Sequence, residues 1–209
     1  TYHATLGRVK GDKEEEQDLK TPEGIYIFKS LLTPPQLKEE LGPLGLDTGF
    51  PNPFDRLAGH GGSGILLHGT NVPERLKKNY DSKGCIVIQH EEIIELKPHI
   101  QIGLTPILIF SELTPDFMTP GQDVKLKSFF ENWIKAWASK DVGNYISSYH
   151  SDFSADGKNK ERWRQYKTHL NSIYSEIDVK PEQVLYFRHP KYAMVTFTQV
   201  YQSKLALGG

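Results

Sequence analysis

Ser82-Lys83-Gly84-Cys85-Ile86-Val87-Ile88 sets the sole cysteine of a 209-residue chain behind a glycine, at the head of a short apolar run. Seventeen positions before that cysteine, Ser63-Gly64-Ile65-Leu66-Leu67-His68-Gly69-Thr70 ends a second apolar run on a histidine and a glycine. Runs of this length bounded by Gly and Ser read as strands. Strand ends beside turns hold a side chain rigidly while leaving it reachable. A thiol is mostly protonated at neutral pH and attacks as its thiolate. A neighbouring imidazole can take that proton and return it to a leaving amine, provided its other nitrogen is held by a carboxylate or backbone carbonyl. Gly84, lacking a Cβ, would let a substrate carbonyl approach the N–H groups of Gly84 and Cys85, the makings of an oxyanion hole. On residue types alone a more ordinary reading competes, since free cysteine is among the most buried residues and His68 could simply hydrogen-bond at a strand end. A metal site built from His60, His68, Cys85 and His90 lacks paired-ligand spacing, and no metal is expected.

Around this pair, residues 1–110 are rich in Gly and Pro. Short extended runs at Ile25–Lys29, Gly64–Leu67, Cys85–Ile88 and Pro106–Phe110 are separated by Thr21-Pro22-Glu23-Gly24, Pro51-Asn52-Pro53 and the glycine-rich Gly59–Gly64. That pattern predicts a β-rich domain, with short helices at Gln36–Leu41 and Glu91–Leu96. Thr114-Pro115 and Thr119-Pro120-Gly121 mark a linker. Beyond it the period changes: Leu126, Phe129, Phe130, Trp133, Ile134 and Trp137 form the stripe of an amphipathic helix capped by Asp123. A second helix is expected near Val142–Tyr149, and a third carries Trp163, Tyr166, Leu170, Ile173, Tyr174 and Ile177 on one face. Strands follow at Gln183–Arg188 and Tyr192–Gln202, joined by His189-Pro190-Lys191. Helices followed by a hairpin read as a small α+β domain. A lone hairpin makes a thin sheet, so further strands are expected after Tyr201, with Lys204–Gly209 a ragged end. The expected organisation is 1–112, a linker at 113–122, and 123–209.

Composition narrows the function classes. Lys plus Arg total 25 against 26 for Asp plus Glu, a net charge of −1, which argues against nucleic acid as a partner. Hydrophobic residues make up 37% of the chain, enough for a packed core. No apolar run approaches the roughly 20 residues that span a bilayer. One cysteine excludes an internal disulfide and any Cys₄ or Cys₂His₂ zinc site. The chain opens at Thr1 with no start methionine or signal peptide, so it reads as a fragment or mature form.

Longer motifs sharpen the reading. Gly7-Arg8-Val9-Lys10-Gly11-Asp12-Lys13 and Asp18-Leu19-Lys20-Thr21-Pro22-Glu23-Gly24-Ile25-Tyr26 resemble the opening of the L,D-transpeptidase (YkuD) catalytic domain. Pro51-Asn52-Pro53-Phe54-Asp55, Gly62-Ser63-Gly64-Ile65, His68-Gly69-Thr70 and Ser82-Lys83-Gly84-Cys85 look like the rest of that signature in order. The resemblance covers Tyr2–Phe110. It implies a β-rich catalytic fold, Cys85 as nucleophile, His68 as general base, and the Gly69 carbonyl as the group that orients the imidazole. Two positions depart from the family: Lys83 stands where a His is usual, and Val87 where an Arg is usual. Asp123–Gln202 is similar to the NTF2-like domain that follows the catalytic domain in one subgroup, and the resemblance implies action on stem peptides, some of that subgroup being L,D-carboxypeptidases. The fold class implied is therefore mixed, a β-rich catalytic domain followed by a small α+β NTF2-like domain that is incomplete at its C-terminus.

What the resemblance implies for function is an enzyme of peptidoglycan stem peptides in the periplasm or cell envelope. It would cleave the bond between meso-diaminopimelate and the terminal D-alanine as an L,D-carboxypeptidase, or form 3-3 crosslinks as an L,D-transpeptidase. A non-catalytic wall-binding or scaffolding protein, and a cytosolic thiol hydrolase, are rivals. The partners are stem peptides, with a homo-oligomer or other cell-wall proteins as alternatives; no cofactor is expected. His60 in the glycine loop, Ser82 and Lys83 are substrate-binding candidates, each with a plainer reading as a loop, turn or surface residue. Trp133, Trp137 and Trp163 read as core before they read as a sugar platform.

Overall fold

In the computed structural model, which describes residues 1–112 and 123–206, the apolar runs of the first half become short strands. They are β1 (Leu6–Gly7), β2 (Gly24–Ile27), β3 (Ser30–Leu32), β4 (Gly45–Asp47), β5 (Leu66–His68), β6 (Tyr80–Ser82), β7 (Ile86–Val87) and β8 (Pro106–Ile109). Strands β3-β4-β5-β7 form one sheet in that order, while β2 pairs with β8 and β1 with β6. β5 runs antiparallel to β4 but parallel to β7, with Leu67 opposite Ile86 and His68 opposite Val87. All three residues of β5 are buried, as an interior strand covered on both faces requires. Tyr26, Phe28, Leu46, Phe50, Ile65, Leu67, Ile86, Ile88 and Ile93 make the core beneath it, each side chain stabilising the fold by roughly 1.5–3 kcal/mol of apolar burial.

Two helices flank the sheet. α1 (Pro53–Leu57) starts at a reciprocal cap: the Asn52 side chain accepts from the Phe54 and Asp55 N–H groups, and the Asp55 carboxylate accepts from the Asn52 N–H at 2.7 Å. α2 (His90–Leu96) directs Ile93 into the core at 0% exposure. The helix expected at Gln36–Leu41 is instead a turn followed by a single 3-10 turn at Glu39–Leu41. Six residues between Pro35 and a left-handed Gly42 (φ 83°) are too few to offset the cost of nucleating a helix.

The chain folds as two compact units, Thr1–Thr114 and Pro115–Gly209; the linker expected at 113–122 lies outside the described residues. The second unit contains α3 (Val124–Ala138), α4 (Val142–Ser147), the small hairpin β9 (Ser154–Ala155) and β10 (Lys158–Asn159), α5 (Lys160–Ile173), β11 (Tyr174–Arg188) and β12 (Ala193–Leu205). Asp123 caps α3 by accepting from the Leu126 N–H at 3.1 Å. Phe130 of α3 packs its ring against Tyr186 and Phe197 of the β11–β12 ribbon. Trp133, Trp137 and Trp163 pack against buried Ala136, Tyr145 and Ile146. The Lys167 ammonium sits over the Trp137, Trp163 and Tyr145 rings, 4.4, 5.0 and 5.4 Å from their centroids, and burial pulls its pKa down.

The third helix is shorter than expected and the hairpin longer. α5 stops at Ile173, and Tyr174 and Ile177 belong to β11, where buried Ile177 and Val179 alternate with exposed neighbours. Residues four apart, such as Ile173 and Ile177, share a face in a helix and in a strand alike, and here pairing with β12 makes the strand win. Pro181 and the left-handed Gln183 (φ 52°) fall beside a bulge between Glu182 and Leu185. In a two-stranded ribbon one edge of each strand is unpaired, which tolerates Pro. Lys204 is likewise no ragged end, since it pairs with Glu176. No helix among the described residues is long and apolar enough to cross a membrane.

Candidate active site

The sheet brings the two sequence motifs together. Cys85 lies one residue before β7 and two before Val87. It therefore continues the face that Val87 shares with its partner His68, because side chains alternate along a strand. Its thiol is half-buried. Sγ accepts from the Leu66 N–H at 3.4 Å, and the S–H faces the Gly64 carbonyl at 3.5 Å. His68 is 1% exposed. Its Nδ1 bonds to the Gly69 carbonyl, which can only accept. Nδ1 therefore carries the ring proton, and Nε2 keeps the lone pair a general base needs. Cys85 and His68 line one cavity of about 540 Å³, together with Ser82, Lys83 and Arg75.

Burial sets the charge state of this pair. It pushes the Cys85 thiol above its ordinary 9.0, against the Leu66 N–H and the charges of Arg75 and Lys13, which favour the thiolate. It also pulls His68 below its ordinary 6.5, opposed by the Gly69 and Leu41 carbonyls, which favour the protonated ring. At neutral pH both shifts favour a neutral thiol and a neutral imidazole.

The remaining sequence candidates fare differently. Gly84 is expected to offer its N–H to a substrate oxyanion, yet that N–H donates to Ser82 Oγ at 3.0 Å. Glycine is needed there for another reason: φ is +125°, and a Cβ would come within 2.7 Å of the Lys20 carbonyl oxygen. Ser82, 1% exposed, donates from Oγ to the Cys85 carbonyl at 2.6 Å and so fixes the turn that carries the cysteine. Lys83 is exposed at the cavity edge. His60 does not line this cavity. Its ring is largely buried, 3.9 Å from Asp12, and its backbone N–H donates to the Asp55 carbonyl. The glycine loop is pinned here, where its composition suggests mobility.

Arg75 escapes the sequence reading, and His90 enters it only as a member of the rejected metal set. Arg75, on the 3-10 turn Pro73–Lys77, reaches the cavity from a stretch with no strand or helix period. His90 lays its ring against Gly69 and Gly42, where an added Cβ would come within 2.6 and 2.5 Å of ring atoms. It thus packs against the glycine whose carbonyl orients His68. The one signal available in the sequence is the pair of glycines, which gives no hint of its partner.

These features define a β-rich domain bearing a thiol and an oriented imidazole in one cavity, followed by a second α+β unit. Residues 1–109 match the L,D-transpeptidase catalytic domain, and residues 125–207 match the Cds6 C-terminal NTF2-like domain. The chain belongs to the L,D-transpeptidase (YkuD) family. Bd1075 of Bdellovibrio bacteriovorus is similar at 32% identity with a TM-score of 0.70, over 96% of this chain and 71% of that one. The helical cell shape determining protein Pgp2 from Campylobacter jejuni has the same fold, at 21% identity and a TM-score of 0.58, over 97% of this chain and 79% of that one. YafK of Escherichia coli K12, whose name places it among the L,D-transpeptidases, is 27% identical over 108 residues. That match spans 46% of this chain and 39% of YafK.

Proposed function

We propose that the chain cleaves the bond between the L-centre of meso-diaminopimelate and the terminal D-alanine of a tetrapeptide stem, in the periplasm or cell envelope. Hydrolysis to the tripeptide is the favoured outcome. The observation that carries this reading is the shared cavity of Cys85 and His68 with Nδ1 of His68 committed to Gly69. His68 Nε2 takes the thiol proton as Sγ attacks the carbonyl carbon. The Cys85 N–H is the donor for the oxyanion that forms, since the Gly84 N–H is occupied. As the C–N bond breaks, His68 returns the proton to the departing amine. Water, deprotonated by His68, then attacks the thioester and releases the acid and the free thiol. An amine from another stem in place of water would give a 3-3 crosslink through the same thioester. Water is favoured because Lys83 and Val87, the two departures from the family pattern, fall beside the thiol, and because the resemblance to the two-domain subgroup points to carboxypeptidases.

The test is mass spectrometry of tetrapeptide muropeptides before and after incubation. Tripeptides are expected, and Cys85→Ala and His68→Ala should each abolish turnover with the fold intact. Crosslinked dimers without tripeptide would refute hydrolysis. Full activity in either variant would end the assignment. A thiol that no carbapenem or iodoacetamide labels would favour a wall-binding protein with an inert cysteine.

A further inference from the structure

The cavity at Cys85 is lined by four cations, Arg8, Lys38, Arg75 and Lys83, and by one carboxylate, Glu40. Lys38 and Lys83 are exposed, and the Arg8 side chain is 53% exposed; well-hydrated charges of that kind hold a ligand weakly. Arg75 is different. Its side chain is 25% exposed, Nη2 donates to the Asp81 carbonyl at 3.2 Å, and Nε lies 3.8 Å from Asp81 Oδ2. Those two contacts fix one edge of the guanidinium and leave donors of its five N–H groups free for a ligand. Asp81 does not cancel the charge, because it also faces Arg8 at 3.7 Å and Lys78 at 3.9 Å. The field of Arg75 reaches both reacting groups, favouring thiolate at Cys85 and disfavouring a protonated His68. Val87, by contrast, is 0% exposed, so a charge could not enter the cavity from that position without being buried.

We propose that Arg75 is the anion subsite of this cavity, its planar fork taking a substrate carboxylate beside the bond that Cys85 attacks. An arginine held along one edge is suited to two parallel hydrogen bonds to a carboxylate. The identity of that carboxylate, the C-terminus of the departing D-alanine, rests on the reading above; the anion preference itself does not.

Two measurements separate the proposal from that reading. The first needs no peptide: Cys85 is alkylated with anionic iodoacetate and with neutral iodoacetamide, and the two rates are divided. Any change in thiol pKa affects both rates and cancels in the ratio. Arg75→Met should lower the iodoacetate-to-iodoacetamide ratio severalfold, Arg75→Lys less, and Lys83→Met little, with unfolding temperatures unchanged. The second compares kcat/KM for a tetrapeptide ending in a carboxylate with one ending in a carboxamide. The wild type should prefer the carboxylate roughly tenfold or more, as loss of a charge-assisted hydrogen bond implies, and Arg75→Met should erase that preference. A fall in either measure supports the subsite, and no change in both overturns it. If neither peptide is cleaved, the substrate reading fails and the alkylation ratio alone decides on Arg75.

Discussion

Cys85 and His68 are held neutral by burial, and that has a sign that can be measured. With His68 below its ordinary 6.5, the imidazole stays an available base into mildly acidic solution. The acid limb of kcat/KM should therefore have its midpoint below pH 6.5. With Cys85 above its ordinary 9.0, the thiolate fraction keeps growing with pH. Iodoacetamide labelling should therefore still be accelerating at pH 9. A preformed thiolate–imidazolium pair would instead give a labelling rate that is flat through neutral pH, and that result would exclude the neutral pair. At this scale the sequence is informative where chemistry is written into a short string. Cys85, His68 and Gly69 stand in two motifs, and the structure places Cys85 and His68 in one cavity with the Gly69 carbonyl on the imidazole. It misleads at Gly84, because an N–H and its acceptor two residues away look free until the turn is closed. It is silent on Arg75 and on the packing role of His90, whose approach to the site depends on how a loop and a helix start are folded back.

Between residue and fold, a buried ion pair braces the glycine loop beside the thiol. Lys13, 3% exposed, reaches Asp18 Oδ1 at 2.6 Å and the Glu15 carbonyl at 2.8 Å. The Asp18 carboxylate also accepts from the N–H groups of Glu14, Glu15 and Lys20. Burial would raise this carboxyl, but the bonds from Lys13 and the three N–H groups hold it far below the usual carboxylate range. A carboxyl depressed in the folded state contributes stability above its unfolded pKa of about 3.9 and loses it as the pH falls below that. The Gly61 N–H donates to the Glu14 carbonyl, so the pair braces the glycine loop whose Gly64 carbonyl faces the thiol. Asp18→Ala leaves Lys13 buried without its partner and should cost about 3–5 kcal/mol, read from urea unfolding. A change near zero would show that Lys13 finds water instead. Elements with a strong local signal, such as α3 with its Asp123 cap, are legible in the sequence. The start of β11 is not, because Ile173 and Ile177, four apart, share a face under either period and only pairing with β12 chooses between them.

Across the whole molecule, the change of hydrophobic period near residue 123 announces two unlike parts. The cavity is not legible, because it depends on residues from Arg8 to Cys85 meeting at one sheet. The two units have cores of very different weight. In the first, ten buried apolar residues from Tyr26 to Ile93 form one cluster. In the second, Ala136, Tyr145 and Ile146 form a smaller cluster completed by partly buried aromatics, with Phe130, Ile177, Val179 and Phe187 also buried, and the C-terminal end of β12 is exposed. Stability follows apolar area removed from water, so we propose that the second unit unfolds first and independently. The chain supplies its own probes. All three tryptophans, Trp133, Trp137 and Trp163, lie in the second unit, and the single cysteine lies in the first. Tryptophan fluorescence then reports one unit and the exposure of Cys85 to a thiol reagent the other. In a urea titration the fluorescence midpoint should come at the lower concentration, with Cys85 still labelled at the rate of the native protein. Coincident midpoints would mean that the two cores melt as one cooperative structure, and the independence of the units would have to be given up.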